Sequence, residues 1–310
     1  MRIEQLTFTR FIAAILIVIF HYGTDIFPFN LGKTMFSGSD VGVSYFFILS
    51  GFVMIIAYGR KEKINTPQYL QNRFARIYPV YFLAILILFV FKAFIQNDVD
   101  YSGMVLNVFM LQSWIPMKAL SFNVPAWSLV VEFLFYFLFP LLFNRVYSKR
   151  NYLNLVVPIV SFWLISQFAF HWVLRSSYYE GPMTALHNFL YYFPFMHLNE
   201  FLIGNLAGLF MIHRWKDKKW NTDLLILALF IITALLLKYD TGLNFHNGLF
   251  TLTFVPLIVL ISMNNGWFTK LSNIKQLVFL GEISYGIYIL QSPIHFWTQR
   301  TLTYLGLEHG

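Results

Sequence analysis

Arg10 and His21 stand eleven residues apart inside an apolar run, TRFIAAILIVIFHYG. On a helix advancing 100° per residue, eleven steps return to within about 20° of the start and rise roughly 16 Å. The two side chains therefore share one face at two depths. Both are costly in a hydrocarbon medium, so their presence there marks them as candidates for function. An imidazole can take a proton from a hydroxyl near neutral pH, and a guanidinium can hold a phosphate through two parallel hydrogen bonds.

Further residues of the same kind accompany them. Arg73 and Arg76 lie three apart in QNRFARIYP, on one face of a helical turn. With Arg10 they suit a polyanion such as a phosphate group, although arginines at a cytoplasmic helix end also act as topology signals and headgroup anchors. Glu132, in NVPAWSLVVEFLFYFLFP, counts to a depth similar to that of His21, with Ser128 four residues earlier on the same face. That arrangement reads as a base with its orienting carboxylate, or as a buried His–Glu bond joining two helices. His197 and Glu200 in PFMHLNEFLIGN would face an outer cavity, yet packing and pairing account for both. Ser284, Tyr288, Gln291 and His295 follow a helical spacing and form a polar stripe, which lines a cavity or bonds to a neighbouring helix. Ser50 and Gly51 in FFILSGFVM permit close helix approach or contribute chemistry.

The elements that must position these groups follow from composition. Hydrophobic residues make up 58% of the chain and charged residues 12%, and the mean hydropathy is +0.61. About a quarter of residues are charged in an ordinary soluble domain, so the chain is expected to be an all-α, polytopic transmembrane bundle within a lipid bilayer. Apolar segments near 6–23, 41–58, 77–96, 127–143, 153–171, 193–212, 223–239, 247–263 and 277–297 predict nine spanning helices, against the ~17 to 25 residues a span needs. The segment 104–115 is too short to cross and reads as interfacial or re-entrant. The polar connection 97–126 can cover a cavity from outside. With no repeat, low-complexity tract or long polar segment, residues 1–310 read as one domain.

The net charge of +8 comes from short loops rather than a nucleic-acid surface. Arg60, Lys61, Lys63, Arg73 and Arg76 share one, Arg145, Lys149 and Arg150 a second, and Arg214, Lys216, Lys218 and Lys219 a third. The positive-inside rule makes these loops cytoplasmic and puts the N-terminus inside. Arg2 and Arg10 precede an apolar core as in a signal peptide, but FHYGTD offers no small-residue cleavage site, so the first span reads as a mature helix. No cysteine is present, which excludes disulfides, thiolate nucleophiles and Cys-type metal sites. No His/Asp/Glu cluster with metal-ligand spacing is expected either.

Taken in order along the chain, these segments resemble the acyltransferase 3 family of bacterial multispanning membrane O-acyltransferases. The resemblance is carried by Arg10 and His21, Ser50 in FFILSGF, Arg73 and Arg76 in RFARIYPVY, Trp127, Ser128 and Glu132 in WSLVVEFLFYFLFP, and Ser284 and Tyr285 in GEISYGIYIL. It implies transfer of an acyl group, acetyl above all, from a cytoplasmic acyl-CoA cosubstrate to a hydroxyl of an extracytoplasmic glycan or lipid-linked sugar, in the bacterial cytoplasmic membrane and without a resident cofactor. Coenzyme A phosphates would meet Arg73, Arg76 and Arg10, and the pantetheine arm would pass Ser50, Ser284 and Tyr288. His21 would deprotonate the acceptor hydroxyl or take the acyl group transiently, with Glu132 its orienter and Ser128 a secondary candidate. Two features depart from the family pattern: Gln291 stands where histidine is common, and family members have about ten spans, so either a tenth span is present beyond the nine or a final helix is absent. A transporter or flippase for a polysaccharide precursor is the alternative, because intramembrane His, Glu and Arg also mark transport pathways.

Overall fold

The computed structural model describes residues 3–215 and 218–307. Arg2 and Lys216 of the charge analysis fall outside the described residues. The described chain is helical: α1 (Glu4–Tyr22), α2 (Lys33–Phe36), α3 (Gly42–Tyr58), α4 (Thr66–Phe91), α5 (Tyr101–Val108), α6 (Trp127–Leu142), α7 (Val156–Leu174), α8 (Ala185–Tyr192), α9 (Leu198–Phe210), α10 (Asp223–Lys238), α11 (Thr251–Met263), α12 (Trp267–Ser272) and α13 (Lys275–Tyr304).

Among the described residues, seven helical segments are long and apolar enough to cross a membrane, fewer than the nine to ten expected. The two segments that fall short are helical but brief. At 1.5 Å per residue, the 16 residues of α10 and the 13 of α11 reach roughly 24 and 20 Å, against about 30 Å of hydrocarbon. They are consecutive and pack on each other, so the direction of α13 is the same whether this pair crosses or not. Leu224, Leu225, Ile231 and Ile232 on α10 and Val157, Ile165 and Phe168 on α7 are exposed. In a bilayer these are lipid-facing surfaces.

Two close helix pairs organise the bundle. In α3 and α9, Gly51 and Gly204 each lie so near the partner's backbone that an added Cβ would collide with it, the close approach that small residues allow. This favours the packing reading of Gly51. The second pair is α1 with α13, where Gly281 abuts the backbone of Thr7. Phe135 of α6 stacks on Phe201 of α9 at 4.5 Å, and Phe47 of α3 meets Phe135 edge-on at 5.4 Å, which ties α6 to the α3–α9 pair.

Arg73 and Arg76 lie inside a helix rather than in a loop. The Asn65 side chain accepts the Gln68 amide and Pro67 stands in the first turn, so α4 begins about three turns before its apolar run. Asn144 clamps the preceding loop by accepting from the Ile64 amide and donating to its carbonyl. At the other end, Asp100 caps α5 through the Gly103 amide and the Ser102 hydroxyl, which hold its carboxyl below the usual value. Met110, Gln112, Ser113, Ala119, Phe122 and Asn123 are buried, so this connection does cover the bundle, and α6 starts beneath it.

Candidate functional site: an arginine cluster below an imidazole

The polar side chains assemble at two levels of the α1–α13 pair. At the level nearer the Arg60–Lys63 loop, Arg10 of α1 lies within electrostatic reach of Arg76 of α4 and of Glu132 and Tyr136 of α6. The Glu132 carboxylate accepts from the Tyr136 hydroxyl, one helical turn on, at 2.6 Å. Arg73 sits over three aromatic rings, Tyr58, Tyr69 and Tyr136, at 5.8, 5.2 and 5.5 Å. Its planar charge is held by their π faces. Arg76 is exposed. Three guanidiniums against one carboxylate leave a net positive cluster, a composition suited to a phosphate-rich ligand.

At the second level, near the far end of α1, the Nδ1 of His21 is 3.0 Å from Oε1 of Gln291 on α13. The amide nitrogen of Gln291 is committed to the Tyr288 carbonyl at 2.7 Å, so the oxygen must face the imidazole and accept from Nδ1–H. That fixes the tautomer: in the neutral ring Nε2 carries the free lone pair. Tyr22 flanks the site, bonded to Ser292 at 2.9 Å and stacked on His295 at 4.0 Å.

The expected His21–Glu132 pair is not formed. On α13, His21 meets Gln291, whereas Glu132 acts electrostatically on Tyr288 and Tyr285, three and six residues earlier. That is roughly 4.5 to 9 Å deeper along the axis. Depth counted from Pro125 misleads because Pro125 is buried under the 101–123 connection rather than standing at the surface. Ser128 lies between the levels, with its hydroxyl 2.7 Å from that of Tyr288 and both hydroxyls near the Pro125 carbonyl. It joins α6 to α13, and the side-chain hydrogen bond of the imidazole goes instead to Gln291.

Of the other expected residues, Ser284 donates to the Gly281 carbonyl of its own helix and is fully buried. Ser50 is buried four residues after Phe46, whose ring touches Tyr288 at 6.0 Å, so Ser50 shares the face of α3 turned toward α13. His197 and Glu200 do pair, at 2.8 Å and fully buried. The other imidazole nitrogen of His197 donates to the Tyr191 carbonyl, which also receives His246. Sequence reasoning missed Tyr136, His246 and Asp40, and gave Gln291 a place in the polar stripe but no role. Tyr136 carried a signal, four residues from Glu132; His246 and Asp40 are loop residues 206 positions apart that meet at 3.2 Å, and no local pattern announces such a meeting.

The protein is thus a multispanning helical protein with a cationic cluster beneath a tautomer-fixed histidine. The chain matches the acyltransferase domain family over residues 3–308, and it belongs to that family. It is 32% identical to acyltransferase MdmB of Streptomyces mycarofaciens over 157 residues, 47% of this chain and 40% of that protein. It is 24% identical to O-acetyltransferase OatA of Staphylococcus aureus over 294 residues, 86% of this chain and 47% of the relative. The chain therefore spans under half the length of these two relatives. ORF330 of Acidianus two-tailed virus, which carries an acetyltransferase name, is 28% identical over 93% of this chain and 81% of its own length. No solved structure matches.

Proposed function

We propose that the protein is a membrane O-acyltransferase that moves an acyl group from cytoplasmic acyl-CoA to a hydroxyl of an extracytoplasmic glycan or lipid-linked sugar, residues 1–310 acting as one transmembrane domain. The observation that carries this reading is the Arg10–Arg73–Arg76 cluster below His21, with Arg10 on the helix of His21 and the other two on α4, which packs against α13. A donor whose phosphates rest on the arginines can extend its thioester toward the imidazole along the Ser50, Tyr288 and Gln291 face. The positive-inside rule puts the arginine level near the cytoplasm and His21 near the outer surface of a bacterial cytoplasmic membrane. The name of the Staphylococcus aureus relative favours acetyl as the group carried.

In this mechanism Nε2 of His21 takes the proton of the acceptor hydroxyl as its oxygen attacks the thioester carbonyl. A C–O bond forms, the C–S bond breaks, and the proton passes from His21 to the departing thiolate to give coenzyme A. Gln291 holds the ring in the tautomer this needs. Glu132 holds and partly neutralises the arginine cluster and is not the orienter of His21.

The test is release of free thiol by protein purified in nanodiscs and supplied with acetyl-CoA. Acceptor-stimulated release is expected. Tight donor binding with no acceptor-dependent thiol release would leave a transport role and overturn this reading.

A further inference from the structure

Near the His21 end, a cleft of about 300 Å³ opens between the 34–41 segment and the turn that joins α10 to α11. Its polar lining includes the carboxylates Asp40 and Asp240, the Lys238 ammonium and the His246 imidazole, with Tyr239, Thr241 and Asn244 beside them. The frame is rigidly bonded. The Tyr191 carbonyl accepts from both His197 and His246, its hydroxyl receives the Asn244 amide, and the Asn244 oxygen accepts from the His246 backbone. Asp40 uses Oδ2 for His246 and is 35% exposed, so Oδ1 faces the opening. Asp240 spends Oδ1 on the Gly242 amide and is otherwise exposed.

The inventory of this cleft favours a ligand that donates hydrogen bonds. Two carboxylates and a threonine hydroxyl accept, and the Tyr239 ring is 59% exposed, a flat apolar face. The nearby cations are partly engaged: Lys33 with Asp25 at 2.5 Å, and Lys238 over the Tyr239 ring at 5.4 Å. Several hydroxyl donors on a ring with one apolar face is the description of an uncharged pyranose, and a cleft of this size holds about one such ring. The location suits it as well. The Ser39–Val41 turn packs on α1, and Gly42 abuts Ile17, one helical turn before His21.

We propose that this cleft binds a neutral pyranose unit of the acceptor and presents its hydroxyl to His21. This rests on the acyl-transfer reading above for the role of the sugar, but not for its binding. Saturation-transfer NMR on the protein in nanodiscs, with methyl glucoside as probe and methyl glucuronide as its charged counterpart, tests it. Transfer to the glucoside ring protons is expected, weaker transfer to the glucuronide, and about a tenfold loss of affinity in Thr241→Trp, which fills the cleft from an exposed turn. Asp40→Asn combined with Asp240→Asn should narrow the glucoside–glucuronide difference by removing the repulsion. Absence of glucoside transfer, equal transfer in Thr241→Trp, or preference for the glucuronide in the wild type overturns the proposal. Glucoside binding without acetyl-CoA-dependent thiol release refutes the acyl-transfer reading alone, and leaves the cleft a sugar site.

Discussion

The arginine cluster and His21 share helix α1 yet are held by opposite means. Charge organises the lower level: guanidiniums, a carboxylate and aromatic π faces converge from α1, α4 and α6. A neutral amide organises the upper one. The difference is chemical. A carboxylate against an imidazole stabilises its protonated form, whereas an amide oxygen fixes the tautomer and leaves Nε2 free to accept a proton. A lower level built to hold a fixed polyanion needs net charge, and an upper level built to pass a proton does not.

The widest gap between the levels should open on removing His21. His21→Ala should lower acyl transfer by roughly 10² to 10⁴-fold, about 3 to 5 kcal/mol of barrier, with donor affinity nearly unchanged. Thiol release and acetyl-CoA binding measured side by side on one preparation decide it. A variant transferring at more than about a tenth of the wild-type rate would remove His21 from the chemistry.

The reverse dissociation should appear in the lower level. Arg73→Gln with Arg76→Gln should weaken donor binding by roughly 10 to 100-fold with less effect on rate at saturating donor, since charged hydrogen bonds to phosphate mostly supply uniform binding. Arg76→Lys should recover only part, because an ammonium lacks the fork. Glu132→Gln keeps the acceptor for Tyr136 but deletes the counter-charge, so detergent stability should fall more than turnover. Glu132→Ala should be worse, up to roughly 3 to 5 kcal/mol if the charges it leaves stay dry. Normal stability with lost turnover would return Glu132 to the reaction itself.

How far the sequence foretold this arrangement depended on whether the signal was local. Arg73 and Arg76 three apart, and Arg10 and His21 three turns apart, are distances along one helix, and the structure keeps them. Gln291 sat in the recognised stripe but was set aside because another residue is common there, although an amide can do what the tautomer requires. Glu132 was assigned the wrong depth because a helix start was taken for a membrane surface, when a covering segment had buried it. The start of α4 was written in Asn65 and Pro67, and apolarity alone put it too late. The brevity of α11 was hidden because Leu249 and Phe250 extend its hydrophobic run beyond its helix, whereas the run 223–239 matches α10 to within one residue and lies at the lower limit of a span.

A carboxylate at position 291 would erase the contrast between the levels. Gln291→Glu should shift the rising limb of the pH–rate profile toward higher pH by about one unit, as each unit corresponds to roughly 1.4 kcal/mol of added imidazolium stabilisation. Gln291→Leu should instead cut the rate without that displacement, because only the Ile17 carbonyl then holds the ring. Identical profiles for wild type and Gln291→Glu would show that His21 does not carry the titrating proton.

The smallest effect belongs to the loop pair His246 and Asp40, outside the spanning helices, where a histidine does have a carboxylate. Burial pulls the His246 imidazole down, but the hydrogen bond and charge of Asp40, the Tyr191 carbonyl and the charge of Glu200 outweigh it, and the net shift is above the ordinary 6.5. His187 faces it as a second imidazole and opposes its charge. Because the raised value belongs to the folded protein, the stabilisation is complete below the unfolded value and is lost as pH rises through the folded one. Melting temperature in detergent should therefore decline as the pH climbs above 6.5. Asp40 is about a third exposed, so solvent screening limits the contribution to roughly 0.5 to 1 kcal/mol. Asp40→Asn should flatten the slope in that window and lower stability chiefly on its acid side. An unchanged slope in Asp40→Asn would mean that the charge on His246 is balanced by Glu200 instead, and that the two buried histidines act as one electrostatic unit around the Tyr191 carbonyl.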